Sequence, residues 1–69
     1  MTTVWLVLEF HRTILTDKRA FKSRENAIKY FRERCAEMDD CTPVGKGEGM
    51  WAETEYTEFT MSLEPCSVE

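Results

Sequence analysis

One stretch of this chain carries the period of an α-helix, and only one. Between residues 24 and 38 the apolar residues Ala27, Ile28, Phe31, Cys35 and Met38 recur at helical spacing and share one stripe, with Glu25, Lys29, Arg32 and Glu33 opposite. Ser23 stands where its hydroxyl can accept a hydrogen bond from an N–H of the first turn. Asn26 occupies the position that a full capping box gives to Glu or Gln. Asp39 and Asp40 lie at the negative end of the helix dipole, and Pro43 forbids continuation. A lone helix with one apolar stripe cannot enclose a core by itself, so a sheet must cover it.

The strands are read from alternation. Residues 4–11 have Val4, Leu6, Leu8 and Phe10 on one face and Trp5, Val7, Glu9 and His11 on the other. The wholly apolar face is expected to point at the helix. Residues 14–21 form a weaker strand, apolar at both ends around Thr16-Asp17-Lys18-Arg19. The linker Arg12-Thr13 lacks the Gly or Asn of a tight turn, but its shortness calls for a hairpin. Residues 39–49, with Gly45, Gly47 and Gly49, read as a loop.

Residues 50–64 read as extended, but the apolar phase changes from Met50, Ala52 and Tyr56 to Phe59, Met61 and Leu63. A one-residue slip reverses the faces. With no Gly, Asn or Pro to mark a turn, a bent or bulged strand is preferred there over a broken strand forming a hairpin. Residues 65–69 read as a loose tail. The expected fold class is α+β, as a single domain over residues 1–69. Its sheet is a short antiparallel one of three or four strands, with one amphipathic helix packed on one face (β-β-α-β, with a further strand allowed). The uncovered face would then carry Trp5 and Val7, with Trp51 as a further member, and would be a surface for docking or dimerisation.

Composition narrows the class. At 69 residues, such a chain buries only ~60% of the surface its unfolded form exposes. The charged fraction is 32% and the hydrophobic fraction 42%, but eight aromatic residues argue for a folded chain. No apolar run reaches the ~18 residues needed to cross a bilayer. Val4-Trp5-Leu6-Val7-Leu8 has no basic residue before it and is stopped by Glu9, so it reads as a strand and not a signal sequence. Cys35, Cys41 and Cys66 are odd in number and lack framework spacing, as expected of reduced thiols. A cytoplasmic location with no membrane association is therefore expected.

Charge is divided unevenly. The net charge is −4. Residues 1–36 hold eight basic and four acidic residues, whereas residues 37–69 hold one basic and nine acidic. The basic cluster Lys18, Arg19, Lys22 and Arg24 sits where strand meets helix and is a candidate for nucleic-acid binding through phosphates. In the acidic part, Glu53 and Glu55 project from one strand face about 6.7 Å apart, with Trp51 alongside and Glu58 following. An aromatic anchor beside a row of acids suits a basic protein surface. An extreme form of the same idea is DNA mimicry, with carboxylates standing for phosphates. The plain alternative is a strand edge protected by charge.

Signals for chemistry are few. His11 is the only histidine and has no Ser or Cys near it in sequence. Cys35, Cys41, Cys66 and His11 lack zinc-site spacing. Gly45-Lys46-Gly47-Glu48-Gly49 lacks the terminal Lys-Ser/Thr of a P-loop and leads into no helix. The expectation is therefore no enzyme, no metal and no cofactor.

Val4-Trp5-Leu6-Val7-Leu8-Glu9-Phe10 followed by Ala20-Phe21-Lys22-Ser23-Arg24-Glu25-Asn26-Ala27-Ile28-Lys29-Tyr30-Phe31 resembles a widespread kind of small uncharacterised phage and bacterial protein. Those proteins run from a strand through "a-F-x-S-x-E-x-A-x-x-Y" into a helix and back to a sheet. The resemblance covers roughly the first half of the chain. The layout also looks like that of small phage inhibitors of host enzymes, including one that blocks bacterial RNA polymerase, and no functional residue carries over. The resemblance implies a phage- or mobile-element-encoded inhibitor or modulator of a host protein. The expected function is protein binding through Trp51, Glu53, Glu55 and Glu58. The alternatives are nucleic-acid binding, DNA mimicry and a structural homodimer.

Overall fold

Ser23 opens the helix: its Oγ accepts from the Asn26 N–H at 3.3 Å, and the backbone turns helical from the next residue. In the computed structural model, residues 2–38, 41–54 and 58–68 are described. They form β1 (Thr2–His11), β2 (Ile14–Phe21), α1 (Arg24–Ala36), β3 (Val44–Lys46), β4 (Gly49–Glu53) and β5 (Phe59–Val68). The fold is α+β, with one helix on one face of an antiparallel sheet. The sheet has five strands in the order β2-β1-β5-β4-β3, and every neighbouring pair is antiparallel.

One strand and the end of another lie where no regular structure was expected. Within residues 39–49, β3 pairs with β4 across the two-residue turn Gly47-Glu48. Gly47 has φ +60°, the left-handed conformation that a hairpin of this length requires at its first turn position. Three residues with a glycine at the centre leave no alternation to read. Residues 65–68 of the expected loose tail 65–69 are strand: β5 runs on through Val68 and pairs with β1 as far as Thr2, and Glu69 lies outside the described residues. Pro65 lies past the last pairing of β5 with β4, at Leu63, where a missing N–H can be tolerated.

β4 and β5 pair antiparallel, so the stretch 50–64 is not one bent strand. Ala52 pairs with Met61, and the Thr54 N–H donates to Phe59 O at 3.0 Å. The Phe59 N–H donates to Thr54 Oγ1 at 3.3 Å. Thr54 thus supplies closing bonds without glycine. The change of phase in this stretch is a reversal of direction.

The largest correction concerns β1. Its fully apolar face, Val4, Leu6, Leu8 and Phe10, points away from the helix, whereas Trp5, Val7 and Glu9 point toward it. Val7 pairs with Leu63 and Glu9 with Met61, and these residues join Ala27, Phe31, Cys35 and Ala52 in the buried interior. Trp5, Phe21, Ile28, Tyr30 and Met50 pack around that interior. Trp5 and Val7 are therefore not on the uncovered face, and Trp51 is.

A buried carboxylate is accepted because the helix brings its partner. Arg34 Nη2 lies 2.7 Å from Glu9 Oε1, and Arg34 Nε lies 3.2 Å from Oε2. The Tyr30 hydroxyl donates to Oε2 at 3.4 Å. The Glu9 side chain is 3% exposed. This fork raises the Arg34 pKa, chiefly through the hydrogen bond to Glu9. Arg34 Nη1 also holds Glu37 at 2.7 Å, joining the end of the helix to the same group.

Two substitutions test backbone positions with opposite signs. Arg12 and Thr13 form the β1–β2 turn with φ of 52° and 72°, a left-handed pair without glycine. Thr13→Gly should raise the unfolding free energy by about 1 kcal/mol, because it relieves this strain. Gly49 sits so close to β5 that a Cβ would collide with the Leu63 carbonyl. Gly49→Ala should lower stability by on the order of 3 kcal/mol in urea titration.

Candidate functional site

The register places one row of side chains across all five strands on the face away from the helix: Lys18, Leu8, Ser62, Trp51 and Val44. The next row is Leu15, Phe10, Thr60 and Glu53. The central strand contributes small hydroxyl residues, while the strands beside it contribute Leu8, Phe10 and Trp51. Large side chains flanking small ones make a trough. Its volume is about 690 Å³, and Leu8, Phe10, Trp51, Thr60, Ser62 and Glu64 are among its lining residues. Leu8, Phe10 and Trp51 are half-buried, and no element covers them among the described residues.

The acids lie toward one side of this face. Glu48, in the β3–β4 turn, and Glu64 both line the trough, and Glu53 is exposed one row away from Trp51. Lys18 lies on β2 at the far side of the sheet. β1 lies between β2 and β5, so the basic strand does not pair directly with the strands that carry Glu64 and Glu53.

Of the four residues singled out for protein binding, the structure brings Trp51 and Glu53 together on the open face. Glu58 is elsewhere, beside the β1–β2 turn. Its carbonyl accepts from the Arg12 N–H at 2.8 Å, and its carboxylate lies 3.4 Å from Arg12 Nη2. Both side chains are mostly exposed, so this pair adds little to stability. Glu55 lies outside the described residues.

The basic cluster is divided. Lys18 is on the open face. Arg19 is on the helix side, its guanidinium 5.3 Å from the centre of the Tyr30 ring and 3.6 Å from Asp17. Arg24 lies 5.6 Å over the Trp5 ring and donates to Glu48 O at 3.3 Å. Lys22 is exposed. The four therefore do not share one surface.

Sequence reasoning missed Leu8, Phe10, Ser62 and Glu64 as members of the site. The alternation Phe59 to Leu63 does contain the signal, since its polar phase is small. Only the strand order reveals that Thr60 and Ser62 lie between Phe10 or Leu8 on one side and β4 on the other.

A second cluster lies under the helix. Cys35 is 1% exposed, and its Sγ lies 2.7 Å from Cys41 Sγ and 3.0 Å from Cys41 O. Burial, and then the contact with Cys35, push the Cys41 thiol up to about 12. Among the described residues no group of three or more His, Cys, Asp and Glu side chains could hold a metal ion, and no helix is long and apolar enough to cross a membrane. No protein-family model matches the chain, and no curated protein or solved structure matches it significantly.

The raised thiol gives a pH dependence with a defined sign. Above pH 9.0, the ordinary value, an unfolded Cys41 loses its proton while the folded one keeps it. The folded state then binds more protons, and stability falls as pH rises. Tyr30, raised chiefly by burial and then by the charge of Glu9, adds a loss above pH 10.0. Thermal melts should show no loss from this thiol as pH rises to 9.0 and a decline from there toward pH 12. Cys41→Ser should flatten the first part of that decline.

Proposed function

We propose that this chain is a non-enzymatic protein-binding module whose open sheet face receives a partner segment carrying both apolar and basic side chains. The observation that carries this reading is the trough between Phe10, Leu8 and Trp51, with Glu48 and Glu64 in its lining and Glu53 further along β4. The apolar walls give affinity by leaving water, and the acids select and steer a basic partner. Trp51 is the anchor, since large aromatic residues in pockets dominate interface energies. Charge complementarity favours a basic partner over a second copy, because Glu48, Glu53 and Glu64 outnumber Lys18 among the described charged side chains of this face. The divided cluster of Lys18, Arg19, Lys22 and Arg24 offers nucleic acid no continuous basic surface. A modulator of a host protein would use the face in this way.

The test uses a fluorescent amphipathic Lys/Leu peptide, with a Glu/Leu peptide of the same pattern and a DNA duplex as comparisons. Anisotropy should report binding of the Lys/Leu peptide alone, weakening as salt is raised. Trp51→Ala should reduce affinity by at least about tenfold, and Glu53→Lys with Glu64→Lys should reduce both affinity and its salt dependence, with circular dichroism unchanged. Equal binding of both peptides, or preference for the duplex, would overturn the reading. So would a dimer in light scattering that dissociates on Leu8→Glu, since a second copy would then occupy the face.

A further inference from the structure

We propose that Cys35 and Cys41 form an oxidisable dithiol site, closed to an intramolecular disulfide by small-molecule disulfides of the glutathione class. The two sulfurs are in contact at 2.7 Å, one on the last turn of α1 and the other on the segment that enters β3. Closing the bond requires the sulfurs to move together by roughly 0.6 Å. Cys66 is excluded as a competitor by the sheet itself. It pairs with Val4 on the open face, whereas Cys35 belongs to the buried side of the helix on the other face.

The order of attack follows from exposure. Cys35 is 1% exposed and out of reach of a tripeptide disulfide, whereas Cys41 is only half-buried. Cys41, as its thiolate, attacks one sulfur of oxidised glutathione. The glutathione S–S bond breaks, and one glutathione leaves as thiolate and takes up a proton. Cys35 then gives its proton to solvent and attacks Cys41 Sγ, and the second glutathione is expelled. Two protein thiols lose two electrons, and one glutathione disulfide becomes two glutathione thiols.

The closed ring ties the end of the helix to the chain entering β3, the strand paired with β4 and its Trp51. It also restricts the unfolded chain more than the folded one. Because the reactive form of Cys41 is the thiolate and its proton is held tightly, closure is slow at neutral pH and accelerates with pH.

The experiment incubates the full chain with oxidised glutathione over a range of pH and follows it by intact mass and peptide mapping. The expected product has lost two hydrogens, carries a Cys35–Cys41 crosslink and leaves Cys66 uncrosslinked to either. Its rate should rise about tenfold per pH unit between neutrality and pH 9. Its Tm should rise by about 10 °C, reversed by dithiothreitol. Cys41→Ser should remove the crosslink while leaving Cys35 unmodified by glutathione, with circular dichroism reporting that the variant is folded. A stable glutathione adduct on Cys41, a crosslink involving Cys66, or both thiols remaining free while Cys66 reacts would overturn the proposal. None of these readouts depends on the open face.

Discussion

Glu9 is the charge that the rest of this small structure has to accommodate. A carboxylate taken almost wholly out of water costs several kcal/mol unless its oxygens are paired in good geometry. Here the Arg34 guanidinium meets both oxygens and the Tyr30 hydroxyl meets one, so the charge, its counter-charge and the hydrogen bonds are supplied together. Both partners come from the helix, at positions four apart and hence on one side of it. The group therefore fixes the helix to the sheet at one place and in one rotation. It also fixes which face of β1 the helix sees.

That choice propagates across the sheet. With Glu9 inward, Val7 is inward and pairs with Leu63, and β5 turns Thr60 and Ser62 outward. The outward row of β1 is then Val4, Leu6, Leu8 and Phe10, which no element covers among the described residues. A slip of β1 by one residue would bury that row, but it would leave Arg34 and Tyr30 facing apolar side chains and move Val7 away from Leu63. The open face is thus a consequence of a polar group placed in the core. The trough on it arises because the central strand is small where its neighbours are large.

The helix and the first hairpin are legible in the residues. Ser23, the stripe from Ala27 to Cys35 and the alternation of β1 are local signals, and local interactions produce those elements. The orientation of β1 was not legible, because a count of apolar residues treats Glu9 only as a cost. Its partner lies 25 positions away on another element. The β3–β4 hairpin rests on the conformation of Gly47 and on Gly49 approaching β5, neither of which has a periodic signature. Of the site, Trp51 and Glu53 could be named from sequence because an aromatic next to acids is a local pattern. Leu8 and Ser62 could not, because their role depends on being neighbours in the sheet.

The most direct test of the Glu9–Arg34 constraint is a double-mutant cycle in urea with Glu9→Gln, Arg34→Met and the two combined. If the pair holds the helix to this face of β1, Arg34→Met should cost on the order of 3 kcal/mol, because it leaves the buried Glu9 with the Tyr30 hydroxyl alone, and Glu9→Gln should cost less, because Arg34 is a third exposed and keeps Glu37. The double variant should then cost much less than the sum of the two. Additive losses, with a coupling below about 0.5 kcal/mol as for an exposed pair, would contradict it.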